Sequence, residues 1–153
     1  RDSGYIAIQS GIAGGAEIVM VPEVLTPISE VVETLRQGWN RSKSSSIIIV
    51  AEGDEEGNAA QVAEKIKERV DVEIDIRVTT LGHIQRGGIP TAYDRILASR
   101  LGLGAVEGLM NDLQNVMVGI VNNEIVYTPF KDTIRLPKPI NEDMLRMVKI
   151  LST

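Results

Sequence analysis

The sequence contains no cysteine, which excludes a disulfide framework, a thiol nucleophile and a zinc–thiolate site. Positive charge is also scarce: 21 acidic side chains outnumber 16 basic ones, for a formal net charge of −5. Nucleic acids and anionic membrane surfaces select basic proteins, so neither is an expected partner. No apolar run approaches the roughly 20 residues that cross a bilayer. The opening Arg1-Asp2-Ser3-Gly4 has no apolar signal core, and a cytoplasmic, soluble location is the default expectation. Methionine is missing from the first position, which points to a fragment or a trimmed product. There is no internal repeat, low-complexity tract or long linker. At 153 residues, 43% hydrophobic and 24% charged, residues 1–153 are read as one compact domain with a real core.

What is present is a recurring order of short β-branched run, turn and amphipathic stretch. Ile18-Val19-Met20-Val21 reads as a buried strand stopped by Pro22. Ile28, Val31, Val32, Leu35 and Trp39 recur at helical spacing and predict a helix from about Ser29 to Arg41. Thr26-Pro27 supplies its start, with Glu30 and Glu33 near the positive end of the helix dipole. Ile47-Ile48-Ile49-Val50-Ala51 is continuous rather than alternating, the pattern of a parallel strand covered on both faces. Glu52-Gly53 ends it, and Asp54-Glu55-Glu56-Gly57 reads as a polar, solvated loop. Val62, Ala63, Ile66 and Val70 mark the inner face of a second helix. Residues 72–81 are predicted as a third strand and residues 82–88 as a glycine-containing loop. Pro90 then opens a helix whose period runs through Tyr93, Ile96, Leu97 and Leu101. The run from Val116 to Val121, then Asn122-Asn123, then Glu124-Ile125-Val126-Tyr127, predicts strand, turn and strand. Residues 141–151 are the last helix, starting at Asn141 or Glu142. Strands alternating with helices predict an α/β fold, three-layer α/β/α with a mostly parallel sheet.

In such sheets ligands bind outside the carboxyl ends of the strands. Two segments place polar groups there. One is Glu52. The other is the loop around His83, Gln85 and Arg86, set among Gly82, Gly87 and Gly88 and followed by a helix start that favours an anion. Arg86 can grip a phosphate through two parallel N–H donors, Glu52 can accept from sugar hydroxyls, and His83 can bond either. The cluster describes a polyol-phosphate binder. Each member also has a plain structural reading: Glu52 as a solvated strand end, His83 as a structural imidazole, Arg77 as a surface ion pair, Gly87-Gly88 as a turn. Gly14-Gly15-Ala16-Glu17 reads from its physics as a helix C-terminal cap leading into a strand. Arg41 and Lys43 lie near a helix C-terminus, where cations are favourable in any case.

Leu81-Gly82-His83-Ile84-Gln85-Arg86-Gly87-Gly88, with Pro90-Thr91-Ala92 and Asp94-Arg95, closely resembles the signature of the 6-phosphofructokinase family. Ile47-Ile48-Ile49-Val50-Ala51-Glu52-Gly53 and Gly11-Ile12-Ala13-Gly14-Gly15-Ala16-Glu17 fit the same family, and the opening resembles the end of its Met-Gly-Arg segment. The resemblance is densest from Ile47 to Leu101 and looser beyond about Asn111. It implies the C-terminal half of an enzyme that phosphorylates fructose 6-phosphate at its 1-hydroxyl with Mg²⁺ and ATP. Arg1, Glu52, His83 and Arg86 then resemble sugar-phosphate contacts, with Ile84 and Gln85 in the same binding loop. Arg77 resembles the arginine that reaches a neighbouring subunit's sugar phosphate, which implies a homotetramer. Gly15, Ala16 and Glu17, with Arg41 and Lys43, resemble an effector site for a nucleoside diphosphate or phosphoenolpyruvate.

Two departures qualify what the resemblance implies. Ser44 and Ser45 stand where bacterial relatives carry a lysine and a histidine, so an anionic effector is expected to bind weakly. Nothing resembles the family's glycine-rich phosphate loop or its Thr-Asp catalytic motif. No catalytic or metal-ligating residue is therefore assigned, Mg²⁺ and ATP are expected to be bound mainly by the other half, and this stretch by itself is expected to be inactive. Other readings are a non-catalytic sugar-phosphate-binding or regulatory module, part of a pyrophosphate-dependent enzyme, and a generic α/β scaffold.

Overall fold

A computed structural model describes residues 3–135 and 139–151. The chain divides into two compact units, residues 1–80 with 140–153 and residues 81–139, a finer division than the single unit read from composition.

The first unit is three layers deep. Its elements are α1 (Tyr5–Gly14), β1 (Ile18–Met20), α2 (Ile28–Asn40), β2 (Ile48–Val50) and α3 (Ala59–Lys67), joined by the helix Glu142–Leu151, numbered α6 below. β1 and β2 pair in parallel, Ile18 opposite Ile48 and Met20 opposite Val50. Successive strand side chains point to opposite faces, and here both faces are covered. Ile18 and Met20, with Ile48 and Val50, meet Ile28, Val31, Val32 and Leu35 of α2 and Val62 and Ile66 of α3. Val19 and Val21, with Ile49 and Ala51, meet Ala7 and Ile8 of α1 and Val148 of α6. That is why these strands read as unbroken apolar runs. Gly11 lets α1 approach β1: a β-carbon there would overlap the Val19 side chain.

Residues 72–81 differ from expectation, forming no strand. Ile74 and Ile76 pack half-buried against the α2–α3 face of the core, so the alternation is used. A cavity of about 470 Å³ is lined by this segment together with residues of β2, α2 and α3. Alternation decides which side chains turn inward; a strand also needs a partner edge at bonding distance.

The second unit consists of a short 3₁₀ turn (His83–Arg86), α4 (Ala92–Met110), β3 (Val116–Val121), β4 (Glu124–Pro129) and α5 (Phe130–Arg135). β3 and β4 form the expected hairpin, Val118 opposite Tyr127. Its turn has Asn122 and Asn123 at φ 50° and 67°, the left-handed pair of a type I′ turn that asparagine tolerates. α4 is capped by Thr91, one residue after Pro90. The Thr91 hydroxyl accepts from the Asp94 amide while the Asp94 carboxylate accepts from the Thr91 amide at 2.8 Å, a reciprocal cap. The face of α4 against the hairpin is small rather than bulky. Gly104 and Gly108 are buried there, and the Tyr127 hydroxyl donates to the Gly104 carbonyl at 2.7 Å. Tyr93 and Ile96, part of the expected apolar period, are 73% and 61% exposed.

Candidate functional site

Glu52 lies two residues past the end of β2 and is exposed. It belongs to a loop, residues 52–58, that is far more tightly bonded than its polar composition suggests. Asp54, expected in solvent, is only 7% exposed. Its carboxylate accepts from the Glu56 amide at 2.9 Å, its amide donates to the Ala51 carbonyl at 3.2 Å, and its carbonyl accepts from Gly57 at 3.0 Å. Glu56 is held in turn: one carboxylate oxygen accepts from Lys65 Nζ at 2.6 Å and the other from the Ile28 amide at 3.3 Å. Lys65 also donates to the Glu56 carbonyl at 2.8 Å. The Lys65 hydrogen bond is the main reason the Glu56 carboxyl lies below its ordinary pKa. At the far end Asn58 caps α3, accepting from Ala60 and Gln61 while Gln61 accepts from the Asn58 amide. Sequence reasoning passed over Asp54, Glu56 and Lys65. The available signal was the aspartate two residues before Glu56, the spacing of a side chain that caps its own turn.

His83, Ile84, Gln85 and Arg86 occupy the 3₁₀ turn and are all exposed, Ile84 by 74%. The Gln85 amide nitrogen donates to the Leu81 carbonyl at 3.2 Å, and the Gly87 amide to the Ile84 carbonyl at 3.1 Å. Gly87 stands at φ 90°, a conformation that favours glycine. The turn thus projects imidazole, amide and guanidinium within four consecutive residues ahead of α4. Arg77 lies in the first unit, paired with Asp75 at 3.1 Å. Both partners are solvated, so the pair contributes about 0–1 kcal/mol and leaves Arg77 available to a stronger anion. Arg1 lies outside the described residues.

Gly15 caps α1 with φ 68°, and the Ala16 amide donates to the Gly11 carbonyl at 2.8 Å; the expected helix stop is present. Glu17 then turns onto the sheet. Its carboxylate accepts from the Ile47 amide at 2.6 Å and lies 3.7 Å from Lys43 Nζ. Arg41 is the α2 C-cap. Glu17 and Lys43, expected in one effector site, are thus brought together, but as an ion pair. Ser44 and Ser45 line the 470 Å³ cavity with Arg77. Among the described residues, no group of three or more histidine, aspartate or glutamate side chains is placed to hold a metal ion, and no helix is long and apolar enough to cross a membrane.

Comparison with known proteins adds to this geometry. The family model described as phosphofructokinase matches residues 1–109. The ATP-dependent 6-phosphofructokinase of Cytophaga hutchinsonii is 53% identical over 152 residues, covering 99% of this chain and 46% of the relative. An ATP-dependent 6-phosphofructokinase of Thermus thermophilus is 49% identical, covering 99% and 47%. The chain therefore spans about half the length of the relatives it matches. The solved phosphofructokinase of Saccharomyces cerevisiae superposes with a TM-score of 0.77 at 30% identity, over 99% of this chain and 21% of that one.

Proposed function

The chain belongs to the phosphofructokinase family, and from that premise we propose that residues 1–153 act together as the sugar-phosphate-binding portion of an ATP-dependent 6-phosphofructokinase. The complete enzyme transfers the terminal phosphoryl group of ATP to the 1-hydroxyl of fructose 6-phosphate. The bond from phosphorus to the bridging oxygen breaks, leaving ADP, as the bond to the sugar oxygen forms and its hydroxyl proton is released, giving fructose 1,6-bisphosphate, ADP and a proton. The observation that carries the reading is the exposed His83–Arg86 turn, within the stretch that the family model matches.

Arg86 takes the 6-phosphate through its planar fork, His83 bonds the same group, and Ile84 and Gln85 shape the loop. Glu52 accepts from the sugar hydroxyls. Arg77 exchanges its weak pair with Asp75 for the phosphate bound by a neighbouring subunit, and Arg1 adds a further cation. These residues hold and orient the acceptor; catalysis of phosphoryl transfer rests largely on such positioning. Magnesium, when bound, shields the donor phosphates. ATP and Mg²⁺ are placed mainly on the part of the enzyme this chain does not span. A homotetramer in the cytoplasm completes the proposal. Gly15, Ala16, Glu17, Arg41, Lys43, Ser44 and Ser45 form an effector site of reduced charge, in which Glu17 already pairs with Lys43.

The test is Arg86→Ala in the complete enzyme. A charge-assisted contact of about 1.5–3 kcal/mol predicts a rise of roughly ten- to a hundredfold in KM for fructose 6-phosphate, with KM for ATP little changed. An unchanged sugar-phosphate KM refutes the role.

A further inference from the structure

We propose that Asp54, Glu56 and Lys65 are positioning residues that pre-order the loop bearing Glu52, and so set the affinity for the sugar. The proposal rests on the reading of Glu52 as a sugar contact. An exposed carboxylate at a strand end keeps its reach only if its backbone is held; ordering it on binding lowers affinity. The hydrogen bonds that hold residues 54–58, just after Glu52, run through this trio or through the Asn58 cap of α3. Asp54 is the only buried charged side chain among the described residues, and its carboxylate and backbone bond Ala51, Glu56 and Gly57 on both sides of the turn. Glu56 fastens that turn to the N-terminus of α2 through the Ile28 amide, and to α3 through Lys65, whose ammonium bonds both its carboxylate and its carbonyl. A loop meant only to be solvated has no need of three anchors on two helices.

The experiment is a double-mutant cycle in the complete enzyme, read as KM for fructose 6-phosphate and for ATP. Glu52→Ala is expected to raise the sugar KM by roughly ten- to a hundredfold. Asp54→Ala is expected to raise it about tenfold with kcat and the ATP KM little changed, the signature of lost uniform binding. Asp54→Asn, which keeps an acceptor for the Glu56 amide, restores the wild-type value. In the Glu52→Ala background the further effect of Asp54→Ala disappears, because Asp54 acts through Glu52. If Glu52→Ala leaves the sugar KM unchanged, the sugar-contact reading itself fails. If Glu52→Ala raises it but Asp54→Ala does not, or if Asp54→Ala acts equally in both backgrounds, the positioning inference is overturned. Should Asp54→Ala prevent folding, Lys65→Met decides: its side chain is 39% exposed, and a sugar KM unchanged from wild type overturns the inference.

Discussion

Helix α4 allows one substitution to be tested against itself. Gly102 lies in the helix interior and Gly108 in its last turn; replacing a helical glycine by alanine normally stabilises by about 0.5–1 kcal/mol, because alanine loses less conformational freedom on folding. At Gly102 nothing lies within 4 Å of the new β-carbon, so Gly102→Ala should show that gain. At Gly108 the β-carbon would sit 2.8 Å from Tyr127 Cε1. The ring cannot simply swing away, since its hydroxyl is tied to the Gly104 carbonyl at 2.7 Å. Forcing an extra carbon into such a contact costs about 1–3 kcal/mol, which offsets the helical gain and leaves Gly108→Ala neutral to about 2 kcal/mol destabilised. The two variants should therefore differ by about 1–3 kcal/mol. Native-state hydrogen exchange at the β3–β4 amides reports this locally. At about 1.4 kcal/mol per factor of ten, protection should differ by roughly five- to a hundredfold between them. Equal protection in both would mean that Tyr127 is not fixed against the helix, and the argument for a glycine seam fails.

Other outcomes follow from the same geometry. Met20 is fully buried between the strands and α2, so Met20→Ala should lower stability by about 2–5 kcal/mol, measured by urea denaturation; a loss well below that range would mean the core collapses around the gap. The carboxyls of Glu56 and Asp94 have pKa values lowered in the fold, chiefly by side-chain hydrogen bonds from Lys65 and Thr91 respectively. A carboxylate with a depressed folded pKa stabilises above its unfolded value, about 4, and that contribution is lost as pH falls through the folded value. Wild type should thus lose more stability between pH 5 and 3 than a Glu56→Gln variant does, and equal slopes refute this. ADP and phosphoenolpyruvate should change the complete enzyme's activity only weakly. S44K combined with S45H should strengthen the response, and strong control of the unsubstituted enzyme contradicts the reading.

Much of the architecture was open to sequence reasoning because it follows from local chemistry. The two covered strands declared themselves as unbroken β-branched runs, α2 by its helical apolar spacing, and the hairpin by Asn122-Asn123, which tolerate the left-handed backbone the turn requires. Gly15 was readable as a helix stop for the same reason. The candidate sugar-phosphate loop was visible as an uncommon cluster, since a solvated turn rarely gathers His83, Gln85 and Arg86. Three features were not legible. Residues 72–81 alternate as a strand does, but pairing depends on a partner edge that no local pattern encodes. Tyr93 and Ile96 continue an apolar period, whereas α4 turns Gly104 and Gly108 to the hairpin because Tyr127 fills the space a larger residue would need. Asp54 sits in an acidic run indistinguishable by composition from a solvated loop.

By itself, then, the sequence determined the α/β class, the positions of most helices and of β1 to β4, and the family through an ordered series of motifs. These depend on backbone propensity and side-chain period, which act over a few residues. Tertiary structure alone decided which carboxylates are held and which are free. Asp54 and Glu56 are engaged, Glu17 is bonded to Ile47 and near Lys43, and Glu52 is left exposed at the strand end. The four are chemically alike, and only the donors that distant segments bring within hydrogen-bonding distance tell them apart.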